Sequence, residues 1–197
     1  MTPARLLPPV LEEVKRHGFV VFDSADYDIN IVGCRNPKGT PNEFDDWIFI
    51  CYLEEGKWVT HKFQCTTDPS TYWLKNPMRS DGTAILKHPQ QMRGAFYIGK
   101  HKNTYDCLRQ RELVKVWRDN NKDMELNFFG DSSSWGIQIH RASSKSKSKK
   151  VGRWSAGCTV IADPEDYKLF MECVKLQLKH HPSWDRFTYT LIEWSPE

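Results

Sequence analysis

The chain has 197 residues, 39% of them hydrophobic and 27% charged, enough for one domain that buries a real core. No apolar run reaches the length of a transmembrane helix. The net charge of +3 is local: Lys145, Lys147, Lys149 and Lys150 carry more than all of it, and without them the balance is −1 (3 − 4), which argues against the broad basic face of a nucleic-acid binder. Aromatics are abundant at 13%, with eight Trp, as strands or a peptide- or glycan-binding groove would require.

From the N-terminus, Met1-Thr-Pro-Ala-Arg-Leu-Leu-Pro-Pro-Val-Leu-Glu12 is interrupted by Pro8-Pro9 and lacks a small-residue cleavage site, so it does not read as a signal peptide. The expected product is made soluble in the cytoplasm, and a substrate outside it would require delivery by another route. Val10 to His17 reads as a short helix stopped by Gly18. Phe19–Phe22 and Ile29–Val32 read as short strands, and Arg35 to Asp46 as a loop rich in Pro, Gly, Asn and Asp. Trp47–Leu53 and Lys57–Phe63 flank Glu54-Glu55-Gly56, a hairpin signal.

Thr66 to Pro89 shows little periodicity and reads as a long connection, a common place for binding groups. Gly94–Gly99, Leu113–Trp117, Leu126–Phe129 and Trp135–His140 read as strands, with a turn over Arg118–Asp123. Pro164 to Lys179 is the best helix: Asp163 can cap it, Pro164 suits its first position, and Tyr167, Phe170, Met171, Val174 and Leu178 share one face. Phe187–Trp194 closes the chain as a strand. The sum is a mainly β (α+β) single domain over residues 1–197, with one substantial helix after a cysteine-bearing strand. Six cysteines at irregular spacing, with no CxxC, predict free thiols and no zinc knuckle. No His/Cys/Asp spacing predicts a metal site, and no cofactor is expected.

One constellation carries chemistry. Ile137-Gln-Ile-His140 ends an apolar run on a histidine, and eighteen positions later Ser155-Ala-Gly-Cys158 opens another on a cysteine. A cysteine is a nucleophile as thiolate, and a neighbouring imidazole is its usual base. If the two strands are neighbours, imidazole and thiol meet. The bland reading of Cys158 is a buried structural thiol. His precedes Cys here, and no helix starts at the thiol, in contrast to papain-like peptidases.

In that order and spacing the sequence resembles the L,D-transpeptidase catalytic domain (YkuD type), whose pattern is His, about fourteen to seventeen residues, then Ser/Thr-His-Gly-Cys. His140 is followed by fourteen residues, Arg141 to Trp154, and then Ser155-Ala156-Gly157-Cys158. Gln64-Cys-Thr-Thr-Asp68, Gly82-Thr83 and Gly94-Ala-Phe-Tyr-Ile98 are similar to upstream parts of the family, so the likeness runs from Trp47 to Ile161. Ala156 stands where the family often has histidine, and Val160 where a basic residue often follows the cysteine.

The resemblance implies an L,D-transpeptidase-like β-sandwich or barrel in which Cys158 is the nucleophile and His140 its base, oriented by a backbone carbonyl. Amides of Ala156, Gly157 and Cys158 would form an oxyanion hole, worth about 3 kcal/mol per donor. The substrate would be a peptidoglycan stem peptide, attacked at its third residue with release of the terminal D-alanine. Water would then give a carboxypeptidase or endopeptidase, and a second stem's amine a cross-link. A monomer acting on the periplasm or cell wall after release fits a phage lysis factor or an antibacterial effector, with no nucleic acid or membrane as partner.

Substrate contacts are expected from Ser155, Arg141, Arg153, His101 and Tyr97. Each has a second reading: Ser155 as a hydroxyl fixing the turn, His101 as a surface residue, Tyr97 and Trp154 as cover, and Arg141 or Arg153 as a replacement for the missing basic residue. His61, His88, His180 and His181 read as surface residues. Ser143 to Lys150 reads as a mobile solvated loop, or alternatively as a basic lid attracting carboxylates. A competing function is a catalytically inactive cell-wall or glycan-binding module.

Overall fold

The computed structural model describes residues 6–196; residues 1–5, the start of the N-terminal stretch read above, and residue 197 lie outside it. Helix α1 (Pro9–Arg16) starts on a proline, whose missing N–H costs nothing in a first turn, and buries Val10, Leu11 and Val14. Phe19–Phe22 is not the expected strand. Its backbone is matched by side chains instead: Gln91 brackets Val20, and Asn30 accepts from Phe22 N (2.8 Å) and donates to Phe22 O (2.8 Å). Strands β1 (Asn30–Arg35), β2 (Asp46–Glu54) and β3 (Lys57–Thr66) follow. Glu55 and Gly56 both take positive φ (49° and 72°), as the twist of a two-residue hairpin requires.

The connection after β3 is more structured than its composition suggests. It holds α2 (Thr71–Lys75) and β4 (Thr83–Leu86). Next come β5 (Gln90–His101) and β6 (Tyr105–Gln110), joined by a turn at Lys102-Asn103, and then β7 (Val114–Asp119) and β8 (Ser132–Ser134). Strand β6 escaped the sequence reading because Tyr105-Asp-Cys-Leu-Arg-Gln110 offers a single strongly apolar position between polar ones. Leu126–Phe129 is irregular backbone, tied down by Asn127 N to Asp119 Oδ2 (2.9 Å) and Arg118 N to Phe129 O (3.0 Å). Strands β9 (Gln138–Arg141) and β10 (Thr159–Ile161), helix α3 (Pro164–His180) and strand β11 (Phe187–Glu193) complete the chain. Asp163 caps α3 by accepting from Glu165 N at 2.9 Å.

Eight strands close into a barrel in the order β1-β11-β5-β6-β9-β10-β3-β2, while β4, β7 and β8 form a separate three-stranded sheet. The fold is thus mainly β. Inward side chains such as Ile31, Ile50, Phe63, Phe96, Leu108, Ile139 and Tyr189 fill the lumen, and α3 lays Phe170 and Val174 on the same core. The alternate residues Val32 and Cys34 of β1 face outward under α1, with Phe49, Cys51 and Ile192. Being covered on both faces, β1 reads as an unbroken apolar run rather than an alternation. Gly33 leaves the space that the Tyr189 hydroxyl occupies, and that hydroxyl pairs with Thr159 Oγ1 at 2.8 Å.

A charged knot lies where β1, β2, β3 and β4 meet. Arg35 donates to Thr67 Oγ1 (3.1 Å), Thr67 O (2.8 Å) and Leu86 O (2.9 Å). Its Nε lies 2.8 Å from Asp68 Oδ1, out of line for a hydrogen bond, so that contact is Coulombic. Asp46 accepts from Asn36 N, Thr67 N and Thr67 Oγ1 at 2.6 to 2.8 Å. All three charged side chains are buried. Burial and the Asp68 charge push the Asp46 carboxyl up to about 7, and burial raises Asp68 against the pull of Arg35.

Candidate active site

Strands β9 and β10 are parallel neighbours, with Ile139 opposite Thr159 and His140 opposite Val160. Parallel neighbours need a crossover of a dozen or more residues, which is the physical reason for the long spacer: Ala142 to Cys158 makes that crossover. Ile139 points into the lumen, so His140 points outward. Val160 lies outward too, packed with Phe44, Ala142, Val151 and Ala162, and Cys158 packs against the same group. Cys158, one residue before β10, therefore lies on the same outer face as His140.

The lysine run within the crossover is not the mobile loop expected. Ser148 N donates to Ala162 O and Val151 N to Asn42 O, each at 3.0 Å, Gly152 N donates to Asn42 Oδ1, and Lys150 pairs with Glu43. Its other lysines are exposed.

The Ser155–Cys158 turn is tightly built. Ser155 is fully buried; its hydroxyl donates to Cys158 O (2.8 Å) and accepts from Gly157 N (3.2 Å). Its carbonyl accepts from Ser70 N (3.0 Å), which ties the turn to the entry of α2. That arrangement favours the turn-fixing reading of Ser155 over a substrate contact. It also engages one of the three proposed oxyanion donors, Gly157, whereas the Ala156 and Cys158 amides find no acceptor within the turn. Gly157 sits at φ 121°, and a Cβ there would collide with the Ala84 carbonyl oxygen of β4. Gly157→Ala is expected to cost about 1–3 kcal/mol from backbone strain alone, plus the displacement of β4. A chemical denaturation midpoint unchanged from wild type would contradict this.

His140 is 3% exposed. Its Nδ1 lies 2.8 Å from Arg141 O. A carbonyl can only accept, so Nδ1 carries the proton and Nε2 the lone pair, the tautomer a base requires. Arg141 O also accepts from the Tyr105 hydroxyl at 3.3 Å. The orienting carbonyl expected from the family resemblance thus has a candidate in Arg141 itself. Burial pushes the His140 imidazole down to about 4, against the raising effect of that hydrogen bond. Burial likewise pushes the Cys158 thiol up to about 11, opposed by the Gln138 amide. Both directions favour the neutral forms at pH 7. The thiol donates to Gly136 O (3.7 Å) rather than to the imidazole, so a side-chain rotation precedes proton transfer, as is common in unliganded sites.

Around the pair, His101 stacks on His140 with centroids 4.4 Å apart, and its Nδ1 bonds Gln138 Oε1 at 2.8 Å. It is a direct neighbour of the base. The other expected contacts point their side chains at neighbouring rings or strands. Arg141 covers the Tyr105 ring (4.0 Å), Arg153 covers Tyr72 (4.2 Å), and Tyr97 pairs with Arg109 across β5 and β6. Of the histidines read as surface residues, His88 is half-buried against Trp117 and Phe128 and pushed down to about 4 by burial; His181 bonds Asp26 O and stacks on Trp184. All six cysteines are free, and Cys158 alone of them is half-buried rather than buried.

A cleft of about 180 Å³ ends at Cys158 and Ala156, walled by Thr83 and Ala84 of β4, Arg118 of β7 and the Ser134–Ile137 segment. The sequence reading missed Gln138, Gly136 and Arg118. Gln138 had a signal, because it stands two residues before His140 and so on the same strand face. Arg118 had none, because only the second sheet brings it to the cleft. Among the described residues no group of three or more His, Cys, Asp or Glu is placed to hold a metal ion, and no helix is long and apolar enough to cross a membrane.

Comparisons with protein-family models, curated proteins and solved structures find no match.

Proposed function

We propose that this chain is a cysteine enzyme that acts on peptidoglycan stem peptides through a Cys158 thioester, in the manner of an L,D-transpeptidase or L,D-carboxy- or endopeptidase. The observation that carries the reading is the parallel β9–β10 register, which supports His140 and Cys158 on one outer face, with Cys158 lining a cleft. The barrel, and the helix that follows the cysteine strand, support an L,D-transpeptidase-like fold as part of the same proposal.

In the mechanism, Cys158 Sγ attacks the stem-peptide carbonyl carbon as its proton passes to His140 Nε2. The Nδ1–H bond to Arg141 O holds the ring while it is cationic. Amides of Ala156 and Cys158 receive the oxyanion. Collapse breaks the C–N bond, and the leaving amine takes the proton from Nε2. Water or a second amine, deprotonated by the same nitrogen, then attacks the thioester and releases the thiol. Neutral reactants suit this route, because the ion pair forms only as the bond forms.

Digestion of purified peptidoglycan by wild type and by Cys158→Ala, read by fragment mass spectrometry, tests the reading. Wild type is expected to shorten or cross-link stem peptides, and the variant to leave them intact. Identical profiles would remove the enzymatic claim. Retained binding to the insoluble wall would then favour the binding module, whose exposed Trp135 lines the cleft.

A further inference from the structure

Val160 stands where the family resemblance would place a basic residue, and it is buried among apolar side chains. Arg141 and Arg153 lie on the Tyr105 and Tyr72 rings and do not themselves line the cleft, although Arg153 O holds the Trp73 indole that does. The cationic group that lines the cleft on the wall of the second sheet is Arg118. Its side chain is largely buried, at 11% exposure. Its hydrogen bonds are long, 3.4 Å to Gly82 O, 3.4 Å to Ser133 O and 3.3 Å to Ser134 Oγ, and its buried Nε has no partner. The nearest carboxylate, Asp81, is 3.6 Å from Nε and is already held by Arg79 through bonds of 2.8 and 3.1 Å. Five N–H donors with so little return are unusual for a buried guanidinium, whose planar fork suits a carboxylate.

We propose that Arg118 is the specificity-determining residue of the cleft and binds a terminal carboxylate of the substrate whose carbonyl Cys158 attacks. The inference rests on the proposed function and narrows it to donors that end close to the scissile bond. Size supports this. At about 180 Å³ the cleft is smaller than the roughly 300–1,000 Å³ of sites that enclose a whole small molecule. It would hold about six waters at liquid density, or about one small terminal residue. Desolvation disfavours the charged guanidinium, only partly offset by Asp81, so a further anion beside it would be favoured. Arg79, which also lines the cleft but is mostly exposed and paired with Asp81, adds positive potential there.

The test uses N-bromoacetyl-D-alanine and its carboxamide, which deliver the same electrophile with and without the carboxylate. In each, Cys158 Sγ displaces bromide. Labelling rates at Cys158, mapped by peptide mass spectrometry at pH 9, are taken as an acid-to-amide ratio. A change in thiol ionisation alters both rates equally and cancels in that ratio. Relative to N-acetylcysteine amide as a free thiol, wild type is expected to favour the acid by about tenfold or more, and to lose that preference in high salt. Arg118→Gln should bring the ratio to the free-thiol value, and Arg118→Lys should restore part of it.

A wild-type ratio equal to that of the free thiol overturns the proposal without recourse to any variant. So does an unchanged ratio in Arg118→Gln. If the ratio behaves as expected while peptidoglycan is untouched, the carboxylate site stands and the peptidoglycan reading falls. If peptidoglycan is processed and the ratio is flat, Arg118 alone is wrong.

Discussion

Replacing His140 by glutamine is expected to lower kcat/KM for a stem peptide by about 10²–10⁴-fold, the range for a lost general base. The pH profile should identify it. A buried imidazole with its pKa pushed down to about 4 remains the neutral base down to that pH, so the acid limb of wild-type kcat/KM belongs near 4 rather than near 6.5. The thiol, pushed up to about 11, sets no limb of its own in the neutral range. A broad plateau follows. An acid limb at 6 to 7 would show that the imidazole is not desolvated as the fold implies.

The same burial links to stability with a definite sign. An unfolded chain protonates this histidine near 6.5 and the folded one only near 4, so its contribution is complete above 6.5 and is lost as pH falls through that window. Its size is about 3 kcal/mol, and His88, likewise depressed to about 4 but only partly buried, adds a smaller amount of the same sign. His140→Gln should therefore flatten the acid side of the Tm-against-pH profile even as it lowers turnover.

Arg35→Met is the change expected to cost the most stability. It leaves Asp46 and Asp68 buried with no cation between them, and breaking a buried pair in this way costs about 3–5 kcal/mol. For a chain of this length that is a fall in Tm of roughly 10 °C. Methionine fills much of the arginine stem's volume, so the loss reports charge more than packing. Both carboxyls are already raised by burial, so acidification neutralises them and the penalty should shrink from pH 8 to pH 4. A penalty independent of pH would assign the effect to packing. The knot also reaches the site: Arg35 holds Leu86 O at the end of β4, and β4 carries the Ala84 carbonyl that closes on Gly157.

The hairpin of β2 and β3, the capped helix α3 and the closing strand β11 were legible in the sequence because each is specified locally, by alternation, by a proline after an aspartate, or by a two-residue turn. Phe19–Phe22 and Leu126–Phe129 looked like strands by the same rule. They are not, because side chains, Gln91 and Asn30 for one and Asp119 for the other, take up backbone N–H groups that a ladder would use. Helix α2 and strands β4, β6 and β8 were too short or too polar to carry a periodicity.

By itself, then, the sequence determined that His140 ends one apolar run and Cys158 opens another, and that a glycine turn precedes the thiol. Tertiary structure decided how they are placed. The parallel register puts them on one face, Arg141 O selects the imidazole tautomer, and a second sheet folded against the barrel brings Arg118 to the cleft instead of Arg141 or Arg153. The reason is physical: periodicity encodes which face a residue takes on its own strand. Which strands become neighbours, and what they bury between them, depends on contacts far apart in the chain.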